Sequence, residues 1–217
     1  MPVLDEAAHI QATLAALAPL RARGAEVIVV DGGSTDATAA LAAPLADVLL
    51  AAPRGRARQM NAGAARAHGD VLLFLHADTV LPPGADGLVQ RALAAGAGWG
   101  RFDVRITGKS RLLRLVAALM NVRSRCTGIA TGDQAMFVRR DLLMQVGGFP
   151  DQPLMEDIAL SRRLRAVGRP ACLRARATTS GRRWESRGVW RTVFLMWRLR
   201  WRYWRGESAD ALERAYR

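Results

Sequence analysis

The chain has 217 residues, half of them hydrophobic, and a formal net charge of +13. That length and apolar content suit one α/β domain with a full core and exclude a disordered chain. No apolar run approaches the roughly 20 residues of a membrane span, and Cys126 and Cys172 lack any CxxC or Cys/His neighbourhood, which favours reduced thiols.

Helical and strand patterns alternate along the chain. Residues 6–22 read as a helix opened by Asp5, and Val27–Val30 as a short buried strand. A helix over Ser34–Ala43, a strand over Val48–Ala51 and a helix over 56–68 follow. Residues 71–75, Val-Leu-Leu-Phe-Leu, form an unbroken apolar run without alternation, as in a strand buried on both faces. Next come a helix near 84–95, a strand over Phe102–Ile106 with period-two alternation, and an apolar helix over 110–122. A strand over Ala135–Val138 and a helix over 157–167 complete the series. Strands separated by helices at this spacing imply βαβ units and a mostly parallel sheet. Pro2-Val-Leu-Asp-Glu reads as the loop after a first strand, yet no strand precedes it, so the first strand is expected to be missing. No leader precedes the first helix, so a cytoplasmic location is expected.

Ligands of open α/β sheets bind beyond the carboxyl ends of the strands. Asp78 follows the run 71–75, where a carboxylate can hold a divalent cation against a diphosphate or simply cap a turn before Pro82 and Pro83. Asp31 ends the second strand and precedes Gly32-Gly33-Ser34-Thr35-Asp36. That stretch is either a ribose- or base-binding loop or a tight turn with a good helix cap. Arg54, Arg56 and Arg58 stand before a helix carrying Asn61, which suits an anion or a solvated basic face. Asp133 and Gln134 lie in a small polar turn entering a strand. Glu156 and Asp157 open a helix, where they complement its dipole or supply a general base. Arg183 and Trp184 combine a diphosphate clamp with a stacking surface. In the tail, Trp190, Phe194, Trp197, Trp201 and Trp204 recur at steps of four and three, flanked by Arg191, Arg198, Arg202 and Arg205. Such a helix suits an anionic membrane interface through residues 189–205, or packs on the domain or in a homodimer. The tryptophans form one stripe rather than interleaving with arginine, which disfavours nucleic acid.

Taken in order, these stretches resemble the family 2 glycosyltransferases, inverting enzymes of the GT-A fold. PVLDEAAHI is similar to the family opening P-x-x-N-E-x-x-x-I, with Asp5 for Asn. VIVVDGGSTDAT is similar to the nucleotide loop V-V-D-D-G-S-T-D-x-T, with Gly32 for the second Asp. QMNAGAARAHGDVLLFLHADT is similar to the stretch ending in the metal-binding DxD, which here reads His76-Ala77-Asp78. MEDIALSRRL is similar to the acceptor-side E-D-x-x-L-x-x-R. LHADT and GDQAMFVRRD further resemble a short subgroup associated with radical-SAM and selenium-related genes.

The resemblance implies a GT-A domain over residues 1–185 and a basic, Trp-rich helical tail over 186–217. It implies nucleotide binding by Asp31, Gly32, Arg58, Asn61 and His76, and Mg²⁺ or Mn²⁺ at Asp78. It implies catalysis by Asp157 with Glu156, and acceptor or diphosphate contacts at Asp133, Gln134, Arg183 and Trp184. The donor is then a nucleotide sugar, with UDP favoured, and the acceptor a hydroxyl on a lipid-linked or amphiphilic molecule. The enzyme would be peripheral on the inner membrane face. A GT-A-like nucleotidyltransferase and a non-catalytic membrane-binding relative are the alternatives.

Overall fold

The computed structural model describes residues 1–216, apart from the side chain of Arg183. In chain order the first half comprises β1 (Pro2–Val3), α1 (Ile10–Ala16), α2 (Ala18–Arg21), β2 (Ile28–Asp31), α3 (Thr38–Ala42), β3 (Val48–Ala51), α4 (Arg56–Arg66), β4 (Val71–Phe74), β5 (Thr79–Val80) and α5 (Ala85–Ala94). The second half comprises β6 (Trp99–Thr107), α6 (Leu112–Thr127), a 3-10 turn (Gly132–Gln134), β7 (Met136–Arg139), α7 (Arg140–Gln145), α8 (Glu156–Val167), β8 (Ala171–Ser180), α9 (Arg182–Arg187), α10 (Val189–Trp204) and α11 (Ala209–Tyr216).

The expected α/β class holds, in two sheets. Strands β1, β2 and β3 are parallel neighbours, each linked to the next through helix. The second sheet runs β4-β7-β6-β8-β5. There β6 and β8 are parallel, whereas β7 lies antiparallel between β4 and β6, so the parallel run is shorter than the βαβ spacing suggested. Two apolar clusters flank the sheets. One gathers Ile10, Leu14, Val29, Phe102 and Phe137; the other gathers Met60, Phe74, Trp99, Leu160 and Leu164.

Three local outcomes differ from the sequence pattern. The helix expected over 6–22 is broken at Leu17, because Pro19 cannot donate into a continuing helix and instead takes the first turn of α2. Strand β8 was not anticipated, although Arg174 and Arg176 alternate with Ala175 and Ala177 at strand period. The first strand is present, but only two residues long: Pro2 pairs with Val30 and Val3 with Asp31. It is too short to bridge the sheets. A cavity of about 720 Å³ lies between β2 and β4, lined by Met1, Ile28, Met60, Leu72 and Phe74 among others. The Met1 ammonium donates to the Ile28 carbonyl at 2.8 Å within it, and burial lowers its pKa to about 5.

The tail helix α10 has two faces. Leu195, Leu199 and Tyr203 pack with Leu212 of α11 against Met155 and Ile158 at the start of α8. The opposite face exposes Trp190, Phe194, Trp197, Trp201 and Trp204. No helix among the described residues is long and apolar enough to cross a membrane.

Candidate active site

The site has two halves, joined by the segment His76-Ala77-Asp78. The first half is a set of loops beyond the carboxyl ends of β1, β2 and β8. The Asp31 carboxylate accepts from the Ser34 amide at 3.1 Å and from the Ser34 hydroxyl, so it organises its own loop. The Asp5 carboxylate accepts from the Thr35 amide at 2.8 Å, and the Ala7 amide donates to Asp36 at 3.1 Å. These reciprocal bonds tie the loop after β1 to the loop after β2. Gly32 is required for packing rather than for an unusual backbone: a Cβ there would meet the Gln59 side chain at 3.0 Å.

Asp78 closes this half. Its carboxylate accepts from the Thr179 hydroxyl at 3.4 Å, and Arg182 approaches it at 3.9 Å. Arg182 also reaches Glu6 at 3.3 Å, linking the β1 loop to Asp78. The sequence reading passed over Arg182 in favour of its neighbour Arg183, whose side chain lies outside the described residues. Among the described residues, no three His, Cys, Asp or Glu side chains converge as a metal cage. Asp78 therefore offers a single carboxylate, which fits a cation that takes most of its ligands from phosphate oxygens and water.

The second half is a cavity of about 550 Å³. Its polar end carries His76, Asp133, Glu156, Asp157 and Arg56. His76 Nδ1 lies 3.5 Å from the Asp133 carboxylate. One Asp157 oxygen accepts from the Gly132 amide at 3.0 Å and the other from its own helix at the Ile158 amide, 2.7 Å. Glu156 is 5% exposed. Burial, helped by the Asp157 charge, pushes its pKa up to about 7, while burial raises Asp157 against those two amides and Arg56. Desolvation works against the Arg56 charge, but Glu156, Asp133 and Asp157 outweigh it and hold the guanidinium protonated. Sequence reasoning left Arg56 as a solvated basic residue; it is exposed, and the carboxylates it faces become visible only once α4 is set beside α8.

The far wall of this cavity is apolar, built by Val116, Leu119 and Met120 of α6 and Val193, Met196 and Trp197 of α10. Trp184 lines it and packs with Leu113 and Ala117.

Three expected site residues are committed elsewhere. Gln134 is fully buried; its carbonyl oxygen caps the Thr131 amide at 3.2 Å and its amide reaches Asn121 at 3.4 Å. Asn61 clamps the backbone of Phe149 through bonds of 2.8 and 2.9 Å. Arg58 pairs with Asp151 at 2.8 Å on the exposed surface. Asn61 and Gln134 thus engage their side-chain amides in holding loops, whereas Arg58 engages only its Nε and stays on the surface.

A model of glycosyl transferase family 2 matches residues 1–143, two-thirds of the chain. The chain belongs to glycosyl transferase family 2. A search of the curated proteins gave no match. Among solved structures, this family 2 chain is similar to the mannosyltransferase PcManGT from Pyrobaculum calidifontis, in complex with GDP-Man and Mn²⁺. The identity is 24%, with a TM-score of 0.64, covering 92% of this chain and 58% of that one. It is also similar to S. aureus TarS 1-349 in complex with UDP-GlcNAc, at 18% identity and a TM-score of 0.64, covering 83% and 57%. Glucosyl-3-phosphoglycerate synthase from Mycobacterium tuberculosis, in complex with Mn²⁺, UDP and phosphoglyceric acid, matches at 21% identity and a TM-score of 0.59, covering 82% and 67%. This chain spans about three-fifths of the length of the first two, and at these identities the likeness shows the shared fold.

Proposed function

We propose that the chain is an inverting glycosyltransferase that moves a sugar from a nucleoside-diphosphate donor, UDP favoured, to a hydroxyl of a lipid-linked or amphiphilic acceptor. The observation that carries this reading is the second cavity, where buried Glu156 and half-buried Asp157, both with raised pKa values, face an apolar wall. Asp157 is the general base, held in orientation by the Gly132 amide. Glu156 sits beside it and keeps the pair's proton affinity high. The loops at Asp5, Asp31 and Asp78 form the donor half. Asp78 is the protein ligand of Mg²⁺ or Mn²⁺, which when bound would neutralise charge on the departing diphosphate. Arg182, beside Asp78, adds fixed positive charge to that region. The neighbours bound to Mn²⁺ and to GDP-Man or UDP support a metal and a nucleotide sugar.

The exposed aromatic stripe on α10, with arginines along its borders, supports peripheral attachment to the cytoplasmic face of an anionic membrane. A homodimer through the same stripe is the competing use of that surface. A nucleotidyltransferase on the same fold would release pyrophosphate instead of nucleoside diphosphate.

The test is calorimetric titration of UDP and GDP, with and without Mn²⁺, into wild type and Asp78→Asn, followed by turnover of the matching nucleotide sugars. Metal-dependent binding that Asp78→Asn weakens, with release of nucleoside diphosphate, is expected. A folded protein that binds neither nucleotide would sink the reading and leave the non-catalytic membrane binder.

A further inference from the structure

We infer that Arg182 is the resident counter-cation of Asp78, and that it withdraws onto Glu6 when a divalent cation takes that carboxylate. Glu6 is then a positioning residue for the metal, acting through Arg182. The inference rests on the reading of Asp78 as the protein ligand of the metal and goes beyond it by naming what the metal must displace. The two Asp78 oxygens differ in their surroundings. Oδ1 accepts from the hydroxyls of Thr79 and Thr179, each at 3.4 Å. Oδ2 faces Arg182 Nη2 at 3.9 Å, beyond hydrogen-bond length. The same nitrogen donates to Glu6 Oε2 at 3.3 Å. One arginine nitrogen thus stands between two carboxylates from distant segments, bonded to Glu6 and only leaning on Asp78.

The backbone on both sides of this contact is pinned. The Ser180 amide donates to the Asp78 carbonyl at 3.2 Å, and a Cβ on Gly181 would collide with the Thr107 carbonyl oxygen, so the start of α9 is held in place. The Glu6 amide donates to the Thr38 hydroxyl at 2.7 Å, and the Glu6 carbonyl accepts from the Ile10 amide at 3.0 Å. The side chains are what remains to reorient. That of Arg182 is 52% exposed, so its ion pairs are screened, weak and readily rearranged.

A cation that takes a carboxylate oxygen as ligand sits about 2.0–2.6 Å from it. With the Arg182 nitrogen 3.9 Å from Asp78 Oδ2, two positive charges compete for one oxygen and repel each other. Arg182 has somewhere to go, because its bond to Glu6 is already made. No cage of three His, Cys, Asp or Glu side chains converges among the described residues, so few protein ligands outweigh this competitor. The coupling is reciprocal: whatever holds Arg182 on Glu6 favours the metal, and the metal favours Arg182 on Glu6.

The experiment titrates Mn²⁺ alone into the full chain without nucleotide, following the free-ion signal by electron paramagnetic resonance. Wild type is compared with Arg182→Gln, Glu6→Gln, the double variant and Asp78→Asn. Arg182→Gln is expected to bind Mn²⁺ about three- to fivefold more tightly, the scale of an exposed ion pair removed. A gain of affinity cannot come from misfolding. Glu6→Gln should bind Mn²⁺ more weakly by a similar factor, because Arg182 then falls back on Asp78. In the Arg182→Gln background the Glu6→Gln change should have little effect, since no arginine is left to hold. Asp78→Asn should lose the binding. A Glu6→Gln effect that persists undiminished without Arg182 would mean that Glu6 acts on the metal directly, and overturns the inference. Equal Mn²⁺ affinity of wild type and Arg182→Gln also overturns it, but leaves the Asp78 metal site standing if Asp78→Asn still loses binding. Mn²⁺ binding that Asp78→Asn does not change, or no binding by any variant at millimolar Mn²⁺, overturns both.

Discussion

Asp157 accepts a hydrogen bond from the Gly132 amide at 3.0 Å, across 25 residues of chain. The same glycine packs against another side chain of the cavity's polar end, because a Cβ at position 132 would lie 2.3 Å from two His76 ring atoms. Gly132 is therefore the hinge on which the base and the donor-side histidine are both positioned. Gly132→Ala should displace one or the other. We expect a fall in kcat of at least about tenfold with a modest loss of Tm, since misplacing a catalytic group by about 1 Å costs up to roughly 10²-fold. Steady-state kinetics beside thermal unfolding would check it; full activity would refute the positioning role.

The coupled carboxylates set a pH dependence. Glu156 is raised to about 7 and Asp157 is also raised, so the pair holds a proton into the neutral range. The rate should fall as pH is lowered, because Asp157 must be ionised to act as base and burial raises its pKa. Glu156→Gln removes the like charge beside Asp157 and should move that acid limb to lower pH. The native state binds more protons than the unfolded chain between about 4.5 and 7, so the Glu156 contribution to stability is lost as pH rises through that window. Chemical denaturation of wild type and Glu156→Gln at pH 5 and 8 would reveal it, the variant being flatter.

Arg182 should matter to the donor more than to the acceptor. It is the cation nearest Asp78 among the described contacts, at 3.9 Å, and half exposed. Arg182→Ala is expected to raise KM for the nucleotide sugar about tenfold, the scale of a lost charge-assisted contact. The amphiphile KM should stay within about twofold. A change confined to the acceptor KM would reassign this arginine.

The aromatic stripe of α10 should hold the protein on anionic vesicles. Trp197→Ser with Trp201→Ser is expected to weaken binding to phosphatidylglycerol vesicles by about tenfold or more, given about 1.5–3 kcal/mol for burying one large apolar side chain. Binding should also weaken with salt, because Arg191, Arg198 and Arg205 supply its electrostatic part. Salt-insensitive self-association lost in the same variant would identify a dimer face instead.

The sequence by itself determined the parts that depend on local order. Apolar runs with glycine and aspartate turns marked β2, β3, β4 and the helices between them. Asp31, Asp78 and Asp157 stood at strand ends or helix starts, where backbone geometry alone exposes a side chain to a ligand. The tryptophan stripe was legible because helical periodicity needs no partner to be read. Tertiary structure decided which polar side chains were already spent. Asn61 and Gln134 looked like ligand residues until Phe149 and Asn121, brought in from elsewhere along the fold, engaged their side-chain amides. It also decided where the arginines count. Arg56, Arg123 and Arg182 are unremarkable in a chain this basic, and gain meaning only through the charges that face them. Periodicity follows from the backbone and is written along one segment. Burial and electrostatic fields are sums over atoms distant in sequence, so no single segment carries them.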